Sequence, residues 1–316
     1  MTYMDLQIPV NDNFSFDECL WFLNRNFDDC MHRVSAGSVR KALLIDQSPV
    51  LLEISMNRQQ LRVQVLKGKA NNQTESVIRH YITDWFDLTT DISAFYKLLT
   101  RHKSLAYMPE AFKGLRLIGI PDLFEALAWS IIGQQINLSF AYRVKRRFVE
   151  KYGSSILYED VLYHIFPSFE TVSNARPEDL QQMQFSRRKA EYITGLARAF
   201  VSGEISKQKL AGIPDFISRQ KALTSIRGIG IWTANYALMK SLNERSCIPY
   251  GDAGLLNALI THKIIKEKKD SEQINKFFKK FPGWESYLVF YLWRSLAPRE
   301  KEKILHTAGR QTIECK

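Results

Sequence analysis

The sequence Lys221-Ala-Leu-Thr-Ser-Ile-Arg-Gly-Ile-Gly-Ile-Trp-Thr-Ala-Asn-Tyr-Ala237 predicts two helices joined by a tight turn. Gly228 and Gly230 flank Ile229 in that turn, because glycine adopts positive φ without a Cβ clash and lets another backbone approach closely. A second helix begins near Ile231. The unpaired N–H groups of its first turn, together with the positive end of the helix dipole, form a small anion site.

The composition indicates what that anion is. The chain has 316 residues, with 44 Lys and Arg against 33 Asp and Glu, a formal charge of +11 and a pI near 9.4. This balance favours a polyanion as the partner, and the obvious anion is a nucleic-acid phosphate. From charge alone, a basic protein that binds no polyanion is an equally good interpretation. The length predicts two or three domains.

Cysteine and histidine usage argues against several classes of protein. The four cysteines, Cys19, Cys30, Cys247 and Cys315, are scattered singly, and no C-x-x-C or H-x-x-x-H pair occurs. Zinc ribbons and disulfide frameworks are therefore not expected. The chain shows neither a signal peptide nor an apolar run of about 20 residues. We expect a cytoplasmic protein with reduced thiols and no contact with a membrane.

Residues 1–105 predict a mixed α/β domain. Residues 52–56 and 61–65 both alternate apolar with polar side chains, and residues 57–60 join them, so the two runs form an antiparallel hairpin. Helices are expected over residues 16–27 and 75–86. No chemistry can be inferred from this region.

From residue 106 to residue 300 the apolar residues recur with the period of a helix. Short helices with brief connections predict a compact all-α unit, and residues 301–316 follow as a polar tail. The predicted helices cover residues 122–132, 138–152 and 187–200, the two arms of the hairpin motif, and 285–296. The fold class is therefore α+β.

A second motif follows the glycine turn. Pro249-Tyr-Gly-Asp252 comes at a spacing from Gly230 that, with the turn itself, resembles the helix-hairpin-helix DNA glycosylases. Trp232, Thr233 and Tyr236 make the chain similar to the DNA-3-methyladenine glycosylase II (AlkA-type) branch. The resemblance implies an N-terminal antiparallel sheet with helices, then a mostly α glycosylase fold with a cleft between two helical lobes. It also implies no iron–sulfur cluster, because four closely spaced C-terminal cysteines are absent.

Asp252 is the predicted catalytic residue. Hydrolysis of a glycosidic bond builds positive charge on the sugar, and a carboxylate close to C1′ stabilises that charge and orients water. Asp252 precedes a helix that begins near Leu255, and the helix N-terminus favours its ionised form. The alternative role, a helix cap and nothing more, is compatible with catalysis.

The base pocket is predicted to be aromatic. Alkylated purines carry a formal positive charge, and electron-rich rings attract a cationic base. Trp232 and Tyr236 lie four apart and share one helix face. By resemblance, Trp293 and Phe22 join them in the pocket. The alternative for all four is an ordinary core position.

Position 232 also bears on mechanism. By resemblance, bifunctional members carry a nucleophilic lysine two residues after the second glycine of the hairpin, and it attacks C1′ to form a Schiff base. This chain has Trp232 there. A monofunctional enzyme that leaves an abasic site is therefore expected. Ala253 stands where the family often has tyrosine, which predicts a more open pocket and leaves the range of bases open.

Two elements are predicted to contact DNA. Gly133-Gln134-Gln135 interrupts two helices and resembles the element that fills the gap left by an extruded nucleotide, although the best-known members have leucine at the position of Gln135. A plain turn between helices is the alternative. The backbone N–H groups of the hairpin are the second element, and alanine at either of its glycines is expected to weaken binding to every duplex similarly. The predicted anchor residues are Gly228, Gly230 and Thr233.

The resemblance further implies a Na⁺ or K⁺ ion between the hairpin and the phosphate. The expected ligands are the backbone carbonyls of Thr224, Ile226 and Ile229, and no other cofactor is required.

The sequence thus predicts a monomeric, monofunctional DNA glycosylase that acts on double-stranded DNA. Its expected substrates are 3-methyladenine and 7-methylguanine, excised by base flipping in base-excision repair. Two alternatives stay open. One is an oxidised-purine glycosylase/lyase, which Trp232 argues against. The other is a non-catalytic module that binds damaged DNA, for which Asp252 would be dispensable.

Overall fold

The computed structural model describes residues 4–25, 29–69 and 71–297, so the tail predicted for residues 301–316 lies outside the described chain. A five-stranded antiparallel sheet with the order β1-β5-β4-β3-β2 forms the N-terminal part. Its strands are β1 (Asp5–Pro9), β2 (Arg33–Ser35), β3 (Ser38–Ile45), β4 (Ser48–Asn57) and β5 (Gln60–Lys67).

The predicted hairpin is confirmed as β4 and β5. Ile54 lies opposite Val63, and the strands end in the pair Asn57 and Gln60. The apolar side chains at alternate positions are buried against the helices, as the period of two requires. The helices of this part are α1 (Phe16–Leu23), α2 (Asn72–Phe86), α3 (Ser93–Thr100) and α4 (Met108–Ala111). Helix α1 ends at Leu23. The end predicted for this helix, residue 27, belongs to residues 26–28, which lie outside the described chain.

The rest of the described chain is mostly helical. Asp122, Asn137, Ser186 and Asp215 each cap a helix by accepting an N–H bond from the third residue of that helix, as short polar side chains do at N-termini. The helices are α5 (Leu123–Gly133), α6 (Leu138–Tyr152), α7 (Phe169–Ser173), α8 (Pro177–Gln182), α9 (Arg187–Val201), α10 (Lys207–Ala211), α11 (Phe216–Thr224), α12 (Ile231–Ser241), α13 (Ala253–Thr261), α14 (Ser271–Phe278) and α15 (Glu285–Ser295).

The prediction of an all-α unit from residue 106 is wrong at one place. Strands β6 (Ser154–Tyr158) and β7 (Val161–Ile165) form a hairpin after α6. Its inner side chains pack against the outer face of the N-terminal sheet, where they form a separate apolar cluster with that sheet. The cluster consists of Ala42, Leu51, Ile156, Tyr163 and Ile165. The domain boundary predicted at residue 105 therefore places this hairpin in the helical unit, although the hairpin packs on the N-terminal sheet.

Helix α15 connects the sheet domain with the cleft described below. Phe95 of α3 stacks on Trp284 and meets Tyr291 edge-on, so the sheet-side helices and α15 share one apolar core. The buried α15 leaves Trp293, near its end, partly exposed. Within the described residues no helix is long and apolar enough to cross a membrane.

Candidate active site

The two glycines of the hairpin turn have different structural roles. Gly228 has φ +93°, and a Cβ added there would lie 2.3 Å from the ring of Tyr192 on α9. Only glycine fits that position without moving the ring. Gly230 has φ −88°, and a Cβ there would meet no atom within 4 Å. The turn therefore needs Gly228 for its packing and tolerates a side chain at position 230.

The N-terminus of α12 is exposed at this turn. Gly230 is the N-cap and gives no side-chain cap, so the first N–H groups of α12 are available to an anion. Ile231 next to it is 56% exposed. Thr233, predicted to contact DNA, has a buried side chain whose Oγ1 accepts a bond from Gln134 Nε2 at 3.0 Å. Because this hydroxyl is buried, a contact between Thr233 and DNA would use its backbone N–H, and this contact stays a prediction.

Asp252 caps α13, which begins at Ala253, slightly earlier than predicted. Its Oδ1 accepts the backbone N–H of Leu255 at 2.7 Å and the indole Nε1–H of Trp293 at 2.8 Å. Both bonds go to Oδ1 and orient the carboxylate, so Oδ2 is the oxygen left for a substrate. The two donors and the N-terminus of α13 all stabilise negative charge at this position.

The predicted pocket aromatics meet beside this carboxylate. Trp232 and Tyr236 stack with ring centroids 5.6 Å apart at 22°, and Tyr236 and Trp293 are 6.5 Å apart at 42°. All three are partly exposed, and they line one cleft of about 710 Å³ with Asp252. Burial raises the pKa of Tyr236, so its phenol is uncharged. These rings line a cavity, and their contact with a base stays a prediction.

Phe22 also lines the cleft, but its ring is already in contact with other groups. The Arg25 guanidinium lies 3.5 Å from the ring centroid, and Phe290 lies 4.5 Å away at 39°. Less of the Phe22 face is therefore left for a base than the sequence suggested.

The sequence did not single out several other residues of the cleft. Trp129 donates its Nε1–H to the Tyr236 hydroxyl at 3.1 Å and packs on Tyr142 with centroids 4.6 Å apart. Lys240 is buried, and its Nζ donates to the backbone oxygen of Ile118. Burial, and then the charge of Arg25, lowers the pKa of Lys240. In the sequence, only the position of Lys240 one turn after Tyr236 indicated that it lies in the cleft.

Comparison with known proteins agrees with this geometry. Residues 128–282 match the HhH-GPD superfamily base excision DNA repair protein, and residues 7–127 match the 8-oxoguanine DNA glycosylase N-terminal domain. A DNA-3-methyladenine glycosylase of Bacillus subtilis is 37% identical over 293 residues, which is 92% of this chain and 96% of that protein. The chain belongs to the DNA-3-methyladenine glycosylase family. It is a base-excision-repair DNA glycosylase, and the predicted α+β fold is confirmed.

Solved structures resemble the glycosylase in fold. The 3-methyladenine DNA-glycosylase of Archaeoglobus fulgidus gives a TM-score of 0.76 at 23% identity, covering 93% of this chain and 97% of its own. A Clostridium acetobutylicum 8-oxoguanine glycosylase/lyase gives 0.71 at 17% identity, covering 92% and 96%. At these identities the likeness shows the fold alone.

Residues 133–137, which are the last residue of α5 and the loop that leads to α6, are here called the plug loop. In the glycosylase the Gln134 side chain points inward, because its Nε2 donates to the Gly228 oxygen at 3.2 Å as well as to Thr233. Gln135 is exposed, with φ +55°. Lys189 of α9 holds the loop from another side. Gln135 is therefore the residue of the pair that is placed to enter a duplex, and this role stays a prediction.

The predicted ion ligands of the glycosylase lie around the hairpin turn. Thr224 ends α11, and the Ile226 oxygen accepts the N–H of Ile229 at 3.1 Å. Backbone carbonyl oxygens are a donor type that suits a hard cation. The described residues contain no group of three His, Cys, Asp or Glu side chains that could hold a metal ion. Binding of Na⁺ or K⁺ by the turn stays a prediction.

Proposed function

We propose that this glycosylase binds double-stranded DNA and hydrolyses the N-glycosidic bond of alkylated bases, chiefly 3-methyladenine and 7-methylguanine, without lyase activity. The observation that carries the proposal is the Asp252 carboxylate, held by Trp293 and by the first turn of α13 at the edge of an aromatic cleft.

Each step of the hydrolysis has a residue that supports it. A cationic purine departs as a neutral base, so the reaction needs no strong general acid. Trp232, Tyr236 and Trp293 offer electron-rich rings to the extruded base. As the bond breaks, the charge of Asp252 stabilises the oxocarbenium-like sugar, and its carboxylate orients the attacking water. Burial also lowers the pKa of Lys240, which lines the same cleft.

The lysine position supports a monofunctional reaction. Trp232 occupies the position where a Schiff-base lysine would be needed. Among the described residues that line the cleft, Lys240 is the lysine, and it lies two turns further along α12 than Trp232. That separation is about 12 Å along the helix axis, so Lys240 does not occupy the position of the missing nucleophile.

The test is base release from a methylated duplex by wild type, Asp252→Asn and Asp215→Asn. Asparagine is as good an N-cap as aspartate, so both variants keep their helix cap and lose only a charge. Asp215 caps α11 by the same bond, at 2.9 Å, and lies outside the cleft lining, so it is the matched control. We expect Asp252→Asn to lose about a hundredfold or more in rate and to retain duplex binding. Asp215→Asn should match wild type.

An oxidised-purine glycosylase/lyase is the second candidate. The match of residues 7–127 to an 8-oxoguanine glycosylase domain favours it. It predicts that borohydride traps a covalent adduct between the protein and DNA, whereas the proposed reaction gives none. The other interpretation of the sequence, a non-catalytic module that binds damaged DNA, is not proposed, because the chain belongs to a glycosylase family.

We also propose that the protein is a cytoplasmic monomer.

The hairpin carbonyls of Thr224, Ile226 and Ile229 are proposed to bind Na⁺ or K⁺ when DNA supplies a phosphate oxygen. Replacing potassium chloride by tetramethylammonium chloride at equal ionic strength should then weaken binding to undamaged and damaged duplexes alike. Equal affinity in the two salts would contradict the ion site.

A further inference from the structure

One helix supports both elements that are expected to touch DNA. Tyr192 of α9 packs against Gly228 of the hairpin turn so closely that no Cβ fits between them. Lys189, one turn earlier on the same face of α9, contacts the plug loop. Helix α9 therefore fixes the distance between the phosphate anchor and the exposed Gln135.

Lys189 makes one bond to the last turn of α5 and one bond to this loop. Its Nζ donates to the backbone oxygen of Ile132 at 2.8 Å and to that of Gln134 at 2.6 Å. These carbonyls belong to the C-terminus of α5, where the helix dipole favours a cation. The Lys189 side chain is half-buried, and none of the described carboxylates forms an ion pair with it, so these carbonyls are its partners.

The loop is held a second time by the side chain of Gln134, which donates to the hairpin at Gly228 and Thr233. Directly after these attachments the backbone turns at Gln135, where φ is +55°. A non-glycine residue adopts this conformation at some cost, so neighbouring contacts must maintain it. The loop is thus held at Gln134 and presents the exposed side chain of Gln135 one residue later.

We propose that Lys189 is a positioning residue for base extrusion: it holds the plug loop so that Gln135 enters the duplex at a fixed distance from the hairpin. This role rests on the proposed function. Extruding a paired base costs a few kcal/mol, which a side chain in the vacated space partly offsets. Without the two bonds from Lys189 the loop samples other conformations, and the extruded state is less populated.

The test compares substrates that differ in the cost of extrusion. One duplex carries 7-methylguanine paired with cytosine, and the other carries it in a mismatched bubble where it is already unpaired. We expect Lys189→Met to slow single-turnover release about tenfold on the paired substrate and by less than about twofold in the bubble. Lys189→Arg, which still donates to both carbonyls, should restore most of the rate. Lys151→Met, which removes the same charge from the exposed end of α6, is the control.

A double-mutant cycle tests the route of the effect. If Lys189 acts through Gln135, then Lys189→Met should add little to the loss caused by Gln135→Ala on the paired substrate. Additive losses, or equal losses on the paired and bubble substrates, would overturn the proposal.

A binding measurement separates this proposal from the proposed function. A duplex with an abasic-site analogue and 2-aminopurine on the opposite strand becomes fluorescent when the protein unstacks it, without any hydrolysis. Lys189→Met should reduce this fluorescence change at saturating protein, and an unchanged signal would refute the positioning role. Wild type that gives the signal but releases no base would refute only the proposed function.

Discussion

Replacing Trp293 by phenylalanine removes the indole N–H that reaches Asp252 and keeps an aromatic ring in the cleft. The bond from Nε1 to Oδ1 is 2.8 Å long and its acceptor is a carboxylate. A hydrogen bond to a charged group contributes about 1.5–3 kcal/mol. If the carboxylate must keep this orientation in the transition state, we expect the single-turnover rate to fall about 10-fold to 100-fold. The assay is release of 7-methylguanine from a methylated duplex at saturating enzyme, with duplex affinity measured separately.

The control is Trp129→Phe, the same replacement in the same cleft. Its indole donates to the neutral hydroxyl of Tyr236 at 3.1 Å, and a bond between neutral groups contributes less, about 0.5–1.5 kcal/mol. It should slow the reaction less than Trp293→Phe does. In an Asp252→Asn background the Trp293→Phe replacement should have little further effect. The reasoning is refuted if Trp293→Phe weakens substrate binding and leaves the single-turnover rate unchanged, because Trp293 would then only hold the base.

Three further expectations concern the hairpin, the charge and the fold. Gly228→Ala should destabilise the protein measurably in denaturant unfolding, because the added Cβ meets a ring and φ is positive, whereas Gly230→Ala should stay folded and weaken binding to all duplexes alike. Equal stability of the two variants would contradict this. Affinity for any duplex should fall about tenfold or more between about 50 and 200 mM salt, and a flat response would exclude phosphate contacts as the main attraction. Lys145 holds the pKa of the partly buried Asp29 at about 2 against the opposing effect of desolvation, so the pair stabilises the fold above pH about 4 and loses this contribution as pH falls toward 2. The free energy of unfolding should drop by about 2–3 kcal/mol across that range, and Asp29→Asn should remove this pH dependence.

The different structural roles of Gly228 and Gly230 show what a sequence argument leaves out. Both glycines were expected to act alike because both supply backbone contacts. The ring that packs against Gly228 comes from α9, a helix whose place in the fold no local pattern encodes. Local rules predicted that glycine belongs in this turn. They could not predict which glycine the packing requires.

The missed strands have local causes. The turn of the second hairpin is Glu159-Asp160, with φ of +47° and +58°, and this conformation is usually marked by glycine or asparagine. Because neither residue type is present here, the sequence did not indicate a turn between two strands. Strand β3 was missed for another reason. It is buried on both faces, between the helices and the second hairpin, so it lacks the alternation by which β4 and β5 were predicted.

The site was predictable where a motif is contiguous. The glycine turn and the Pro249–Asp252 loop gave Asp252 and the rings of α12, since the spacing within a helix fixes which side chains share a face. Trp129 of α5 and Lys240 of α12 line the same cleft because helices α1, α5, α6, α12, α13 and α15 converge there. No residue next to Trp129 or Lys240 in the sequence indicates that either belongs to a site. Sequence reasoning therefore found the carboxylate that we propose to act in the reaction and missed much of the cleft lining.

The geometry of Asp252 also answers the question that the sequence left open, whether this residue caps a helix or is free for chemistry. Capping uses one oxygen, Oδ1, and the indole of Trp293 bonds to that same oxygen. The two bonds fix the plane of the carboxylate, and Oδ2 is not used by either of them. A cap built in this way makes the site more rigid, because the first turn of α13 and a ring of α15 then define one orientation. Helix capping and the proposed role of Asp252 in the reaction are therefore compatible with one arrangement.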